Sequence, residues 1–242
     1  MPNADTPHKP LSNPPSLTWA GDRFLRIFFG DTATAETAGR IRAACIALRA
    51  AAIPGLLDLT PAYCTVLATF DALSIEPGTE EAVRAVLSGP MNTTEAGVAR
   101  VIEIPVWYGG PHGEDLEALA RAHDLTPSET VALHASAEYR VAFIGFTPGF
   151  PYLTGLPDRL ATPRLPSPRL RVEAGSIGIA GSQTGIYPGG TPGGWRLIGR
   201  TPLRIFDPAR ERPALLAMGD RVRFRSITAA EFEALGNDRE GR

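Results

Sequence analysis

Alternating and helically spaced apolar residues predict a mixture of strands and helices in the first part of the chain. The segments are bounded by turn-forming residues, as at Gly30-Asp31 and Pro54-Gly55. The predicted elements are a strand over 23–29, a helix over 34–52, strands over 56–60 and 63–70, a helix over 80–87 and a strand over 100–107. This order, strand–helix–strand–strand–helix–strand, predicts a ferredoxin-like fold.

The pattern changes in the second part, where helical spacing gives way to short apolar runs. Two short helices are predicted first, over 116–123 and 127–136. The strands predicted after them are 139–146, 171–174, 176–179, 196–199, 203–206 and 221–226. No further helix is predicted until 228–235. Short strands with closely spaced turn signals favour a closed antiparallel barrel.

These elements predict an α+β protein with two domains. We predict a flexible leader over residues 1–16, an α+β amino-terminal domain over 17–98, a β-barrel domain over 99–235 and a flexible tail over 236–242. The chain has 242 residues, so each domain is large enough to bury a core of its own.

Two segments, 145–157 and 175–202, combine many glycines and prolines with large apolar residues. The second contains nine glycines in 28 residues. Disordered linkers have low hydrophobicity, so we expect packed β-structure whose glycines let the backbone approach other backbone or a ligand closely. These turns would also offer peptide N–H groups to a bound molecule.

The charges are nearly balanced overall but not locally. The net charge of −2 argues against a general nucleic-acid or membrane-surface binder. Between residues 159 and 204, seven arginines accompany the single acid Glu173, a local balance of +6. Lys9 is the only lysine, which excludes a phosphate-loop lysine, a Schiff-base lysine and a biotin-attachment site from the predicted domains. Arginine instead suits bidentate contacts to carboxylate or phosphate.

The two cysteines, Cys45 and Cys64, form no disulfide framework in the sequence. We expect both to be buried thiols in a reducing compartment. The sequence shows no secretory signal and no apolar run long enough to span a bilayer. These features predict a cytoplasmic protein.

The candidate ligand-binding residues lie in and around the two glycine-rich segments. A polar trio, Ser182, Gln183 and Thr184, is predicted on glycine-rich turns, where hydroxyl and amide groups could orient a ligand. The full set of candidate substrate-binding residues is His134, Phe146, Phe150, Tyr152, Ser182, Gln183, Thr184, Tyr187, Arg171 and Arg196. No catalytic group is identified, and the histidines lack metal-ligand spacing.

Some of these residues have a structural alternative. Phe146 and Phe150 suit the wall of a small-ligand site, but they suit the filling of a barrel core equally well. His134 lies at the end of a predicted helix, where it could be a hydrogen-bonded structural residue. Tyr152 and Tyr187 carry hydroxyl groups, which favours a role in a site.

Two strings of the sequence resemble a known family. GFTPGFPYLTGLP over 145–157, and GSIGIAGSQTGIYPGGTPGGWRLIGRTPLRIFDP from residue 175, closely resemble the KipI/PxpB family, also called allophanate hydrolase subunit 1. The resemblance covers about residues 100–226. It implies an α+β amino-terminal domain followed by a cyclophilin-like β-barrel, corresponding to part of the carboxyltransferase region of urea carboxylase.

The resemblance also implies a function. It points to one subunit of an ATP-dependent 5-oxoprolinase, which converts 5-oxo-L-proline, ATP and water to L-glutamate, ADP and phosphate. The implied partners are PxpC-like (allophanate hydrolase subunit 2) and PxpA-like subunits, with ATP bound somewhere in the complex and no activity of this chain alone. Two alternatives stay open: a KipI-like inhibitor of a sensor histidine kinase, and a subunit of a urea or allophanate carboxylase–hydrolase system.

Overall fold

The structure is a computed structural model that describes residues 14–89 and 100–240. Contacts divide the chain into two compact units, Met1–Val98 and Ala99–Arg242. Residues 1–13 of the predicted leader, 1–16, lie outside the described residues. The last residue of the predicted leader, Ser16, begins the first strand.

An antiparallel sheet of four strands forms the framework of the first unit. Its elements are β1 (Ser16–Ala20), β2 (Phe24–Phe28), α1 (Ala35–Ala50), β3 (Leu56–Pro61), β4 (Thr65–Phe70) and α2 (Thr79–Ser88). The strand order is β1-β2-β4-β3, and α1 contacts α2, β3 and β4. Alternate residues of β4 are buried, as are Ile41 and Leu48 of α1. The amphipathic strand and helix thus share one core.

The predicted ferredoxin-like order is not confirmed in this unit. That order requires the strand predicted over 100–107 to complete the first sheet, but this strand belongs to the second unit. The sheet edge beside β2 is occupied by β1, which pairs antiparallel with β2 over all five of its residues. The connecting turn contains Gly21 with φ of +75°. Closing so short a hairpin costs little chain entropy, which favours this local pairing.

A closed seven-stranded barrel dominates the second unit. The elements are β5 (Val101–Tyr108), α3 (Leu116–Ala122), α4 (Pro127–Ser136), β6 (Glu138–Ile144), β7 (Pro151–Thr154), β8 (Arg169–Val172), β9 (Ser176–Ala180), β10 (Gln183–Ile186), β11 (Thr191–Gly193), β12 (Arg196–Arg200), β13 (Arg221–Ser226) and α5 (Ala229–Glu240). The barrel order is β10-β7-β6-β13-β5-β12-β9, closed by the pairing of β9 with β10, while β8 and β11 form a separate two-stranded sheet. The prediction of a closed barrel is confirmed.

Contrary to the prediction, the barrel is not wholly antiparallel. Strands β5 and β13 run parallel, in register from Val101–Arg221 to Val106–Ser226. Strand direction cannot alternate all the way around a closed ring with an odd number of strands. A seven-stranded barrel therefore needs at least one parallel pair, and here the first and last strands of the unit supply it.

Three other differences concern short elements. The strand predicted over 203–206 is not present, and only Phe206 forms an isolated bridge, to Ala214. Helix α5 continues to Glu240, past the predicted domain end at 235. Strands β1, β7, β10 and β11 have no sequence prediction, and the last three have only three or four residues each. A period of two cannot be recognised over so few positions.

Alternate strand residues fill the barrel interior. Ile104 and Val106 of β5, Ile177 and Ile179 of β9, and Val222 of β13 are all buried in one apolar cluster. Successive side chains of a strand point to opposite faces, so these residues share the inner face. Helix α4 contacts α3 and β13. Within residues 14–89 and 100–240, no helix has the length and hydropathy needed to cross a membrane.

Both cysteines are free thiols. Cys45 is buried in α1, and burial raises the pKa of its thiol to about 11. Cys64 precedes β4 and is only partly buried. The predicted burial is therefore confirmed for Cys45 alone.

Candidate functional site

Aromatic rings gather around Phe150, which directly precedes β7. The Phe150 side chain is 1% exposed. Four rings meet it at centroid distances of 5.5 Å for Phe146, 5.0 Å for Tyr152, 5.2 Å for Tyr187 and 5.4 Å for Trp195, all in edge-on geometry. This geometry is favourable for aromatic quadrupoles. The structure thus brings four of the predicted residues into one aromatic cluster, which Trp195 completes.

Two glycines make room for this aromatic cluster. Gly185 lies on β10 opposite Tyr152, and a Cβ added to it would be 2.8 Å from Phe150 Cζ. A Cβ added to Gly193 would collide with the Tyr187 hydroxyl. The expected use of glycine for close approach is therefore observed at these positions, where backbone packs against aromatic rings.

Phe146 has an unusual backbone conformation at the edge of the cluster. Its φ is +66°, and its side chain is 61% exposed. Bulky residues rarely adopt the left-handed region, and such strain is concentrated at functional sites. The surrounding loop is held by hydrogen bonds from Gly145 N to Phe150 O and from Phe150 N to Thr147 O, both 3.1 Å. Phe146 therefore presents an exposed aromatic ring on a strained but well-bonded loop.

A cleft of about 350 Å³ adjoins the aromatic cluster; we call it the Arg164 cleft. Its lining consists of Arg164, Leu165, Pro166, Pro168 and Gly194. Across it, Leu165 N donates to Gly194 O at 2.7 Å. Gly194 directly precedes the cluster residue Trp195. Arg164 is also close enough to the cluster for its charge to lower the pKa of Tyr152, although burial, the larger effect, raises that pKa.

Trp195 is held in place by a charged network behind the cleft. Arg169 Nη1 donates to Trp195 O at 3.3 Å, and Arg169 Nη2 donates to Asp115 Oδ2 at 2.8 Å. The same Asp115 oxygen accepts from Leu197 N at 2.7 Å, and Glu114 pairs with Arg169 Nε at 2.8 Å. Asp115 is only 7% exposed, so its charge needs these partners. Sequence reasoning missed this network because its members lie far apart along the chain.

The two predicted arginines have different surroundings. Arg171 is exposed and pairs with Glu173 at 2.8 Å, and it does not line the Arg164 cleft. Arg196 lies next to the cleft, because its Nε donates at 3.3 Å to the oxygen of Pro163, the neighbour of Arg164. The cleft arginine itself, Arg164, was not among the predicted residues. The local excess of arginine was its only signal in the sequence.

His134 lies in the barrel interior and not in the cleft. It is 0% exposed, with Nδ1 2.8 Å from the Tyr108 hydroxyl and Nε2 3.1 Å from Thr184 Oγ1. Thr184 donates its own hydrogen to Gly178 O at 2.9 Å, so Nε2 must carry the proton and Nδ1 accepts from Tyr108. Burial lowers the pKa of His134 to about 3. His134 is therefore a hydrogen-bonded structural residue, which was the alternative to a binding role.

The predicted polar trio does not act as one group. Ser182 is exposed, Gln183 is half-buried, and Thr184 is buried. Gln183 and Thr184 lie on β10 and not on a turn. Because consecutive strand residues face opposite sides, Thr184 points into the barrel while Gln183 points away from it. Only Thr184 contacts another predicted residue, His134.

The assembled site has the chemistry of a binding site. It offers guanidinium groups, aromatic faces and proline-rich walls, which are chemically suited to an anionic ligand with an apolar body. Among the described residues, no group of three or more His, Cys, Asp or Glu side chains is placed to hold a metal ion.

Comparison with known proteins identifies relatives that match between half and nearly nine tenths of the chain. The family model for "Carboxyltransferase domain, subdomain C and D" matches residues 15–216. The B subunit of 5-oxoprolinase from Bacillus subtilis (strain 168) is 38% identical over 88% of this chain and 93% of that protein. The corresponding 5-oxoprolinase subunit from Escherichia coli O157:H7 is 59% identical over 52% of this chain and 58% of that protein.

A solved structure shows the same fold. The crystal structure of TTHA0988 in space group P212121 matches with a TM-score of 0.76 at 41% sequence identity. The match covers 86% of this chain and 40% of that one, so the present chain spans about two fifths of its length.

Proposed function

The chain belongs to the carboxyltransferase subdomain C and D family and, within it, to the KipI/PxpB proteins, and we propose that it acts as the PxpB-like subunit of a 5-oxoprolinase. The observation that carries the proposal is the 38% identity with the Bacillus subtilis 5-oxoprolinase subunit, which extends over 93% of that protein. We also propose that the closed barrel is of the cyclophilin-like type that the resemblance implies.

The Arg164 cleft and the aromatic cluster beside it support this function. The proposed reaction opens the lactam of 5-oxo-L-proline: water adds across the C–N bond to give L-glutamate, and ATP is hydrolysed to ADP and phosphate. The substrate is a small ring with one carboxylate. Guanidinium groups complement the carboxylate, and aromatic rings complement the ring.

The proposal includes further components of the complex. We expect PxpC-like and PxpA-like subunits as partners, a cytoplasmic location, and no activity of this chain alone. ATP is assigned to the complex and not to a particular subunit. No step of the reaction is therefore attributed to ATP bound on this chain.

Reconstitution tests the proposal. The chain is co-purified with PxpC-like and PxpA-like subunits, and ATP hydrolysis dependent on 5-oxo-L-proline is measured together with L-glutamate formation. We expect turnover by the full set and none when this chain is omitted. Turnover that persists without it contradicts the proposal. Inhibition of a sensor kinase by this chain, with no contribution to turnover, would favour the KipI-like alternative.

A further inference from the structure

Arg164 differs from Arg169 and Arg171 in its electrostatic partners. Arg169 and Arg171 both form ion pairs with acids. Within residues 14–89 and 100–240, Arg164 forms no ion pair, although it lines the cleft. A guanidinium group that no carboxylate neutralises attracts an anion, and its planar fork matches a carboxylate in bidentate geometry.

Arg196 adds a second positive charge beside the cleft. Its hydrogen bond to Pro163 O is 3.3 Å long and places it next to the residue that precedes Arg164. Arg196 likewise forms no ion pair in the part of the chain that the structure describes. An anion that enters the Arg164 cleft therefore meets a positive potential that internal acids do not cancel.

The apolar part of the cleft lining, and the aromatic cluster that adjoins it, suit a ring. Trp195 follows the lining residue Gly194, and its indole lies 5.7 Å from the Tyr152 ring. Leu165 and Pro168 contribute apolar surface to the lining. A cleft volume of about 350 Å³ is at the lower end of the range for small-molecule sites, ~300–1,000 Å³. The dimensions favour a compact ligand.

The cleft is also held in shape before any ligand binds. The 2.7 Å hydrogen bond from Leu165 N to Gly194 O joins its two sides. Arg169 fixes the Trp195 carbonyl through a 3.3 Å hydrogen bond. Preorganisation of this kind lowers the entropy that binding must overcome.

We propose that the Arg164 cleft binds a small monocarboxylate with a ring-shaped body, and that Arg164 pairs with the carboxylate while Leu165 and Pro168 contact the ring. The identity of the natural ligand rests on the proposed function. In that case the ligand is 5-oxo-L-proline, and Arg164 is the residue that distinguishes it from uncharged lactams.

The test compares two lactams in the reconstituted complex. One is 5-oxo-L-proline, and the other is 2-pyrrolidinone, the same ring without the carboxylate, used as an inhibitor. Arg164→Gln should raise the KM for 5-oxo-L-proline roughly 10- to 100-fold, the effect of losing a charge-assisted hydrogen bond. The inhibition constant of 2-pyrrolidinone should change by less than about twofold, because that ligand has no group for Arg164. Arg164→Lys should recover part of the loss.

A matched control is Arg121→Gln. Arg121 is an exposed arginine on α3 that pairs with Glu117, away from the cleft lining. This variant should leave both constants unchanged. Because Arg164 is itself exposed, its replacement should not affect folding, and equal unfolding midpoints for the two variants verify this.

The outcomes separate this inference from the proposed function. An unchanged KM in an active Arg164→Gln complex, or an equal loss of affinity for both lactams, overturns the inference and leaves the function intact. If the unsubstituted complex shows no turnover, the proposed function fails. The full chain is then titrated with 5-oxo-L-proline by NMR. Binding that Arg164→Gln abolishes supports the inference, and no binding overturns it.

Discussion

His134 Nε2 lies 3.1 Å from Thr184 Oγ1, although the two residues are 50 positions apart in the sequence. Together with the Tyr108 hydroxyl at Nδ1, this contact joins α4 to β5 and β10 inside the barrel. Both ring nitrogens are engaged, and the ring is fully buried. His134 therefore connects structural elements and is separate from the ligand-binding groups of the Arg164 cleft.

Replacing His134 by leucine should destabilise the protein. The Tyr108 hydroxyl would lose its acceptor and Thr184 would lose its donor, which should lower the free energy of unfolding by about 2–4 kcal/mol. Urea denaturation followed by circular dichroism measures the change. Ser136→Ala, at an exposed position of the same helix, should stay within about 0.5 kcal/mol. Similar midpoints for both variants would contradict the assigned role of His134.

His134 should also make stability fall with acid. Its pKa is about 3 in the folded protein because of burial, whereas a histidine in an unfolded chain titrates near ~6.5. Between these values the unfolded chain binds a proton that the folded chain does not. The stabilisation that depends on neutral His134 is therefore complete above pH ~6.5. As pH falls below this value, the free energy of unfolding declines by up to about 1.4 kcal/mol per pH unit.

The comparison that isolates this effect is wild type against His134→Leu between about pH 6.5 and 5, above the range where carboxylates titrate. As pH falls, the free energy of unfolding should decrease more steeply for the wild type than for His134→Leu. The difference between the two slopes should approach the value for one bound proton. His112, whose pKa is also lowered by burial, contributes equally to both proteins. Parallel slopes would show that His134 is not buried in its neutral form.

Gly185→Ala should disturb the aromatic cluster. The new methyl group would lie 2.8 Å from Phe150 Cζ and 3.0 Å from Pro151 O, and overpacking of this kind costs about 1–3 kcal/mol. Near-ultraviolet circular dichroism should report the displaced rings, and chemical denaturation the lost stability. Gly189→Ala is the control, since nothing lies within 4 Å of its added Cβ. If both variants matched wild type, the close packing around Phe150 would be refuted.

Asp115→Asn should loosen the support of Trp195. The substitution removes the charge that holds Arg169, at an acid only 7% exposed, and should cost about 2–4 kcal/mol, since breaking a buried ion pair is strongly destabilising. In the reconstituted complex it should also raise the KM for 5-oxo-L-proline, because Trp195 directly follows the lining residue Gly194. The losses of stability and of substrate affinity are both compared with those of a variant at the adjacent residue.

That neighbour is Glu114→Gln. Glu114 pairs with the same arginine, but its side chain is 59% exposed, and exposed ion pairs contribute only about 0–1 kcal/mol. We expect near-wild-type stability and KM. Should Glu114→Gln be as damaging as Asp115→Asn, burial would not be what gives Asp115 its importance.

Much of the fold was predictable because its signals are local. The helices α1, α3 and α4 and the strands β9, β12 and β13 lie close to their predicted ranges, since periodicity and capping residues act over a few positions. The aromatic cluster was partly predictable for a similar reason, because Phe146, Phe150 and Tyr152 share one short segment.

Long-range pairing was not predictable in the same way. The ferredoxin-like order counted the strand 100–107 with the first sheet, although the predicted barrel domain already began at residue 99, and β5 pairs with β13, more than 100 residues later. The polar trio was grouped by adjacency, but the alternation of β10 sends Gln183 and Thr184 to opposite faces. Strand register decides both cases, and register depends on partners that a local window does not contain.

The sequence by itself determined the family and the closed barrel, because apolar spacing and glycine–aromatic strings carry that information locally. The tertiary structure alone decided which polar groups meet: His134 with Thr184, and Asp115 with Arg169, 54 positions apart. It also left Arg164 and Arg196 without an ion pair among the described residues, while Arg169 and Arg171 pair with acids. The physical reason is that electrostatic partners are set by distance in the folded chain and not by order along it.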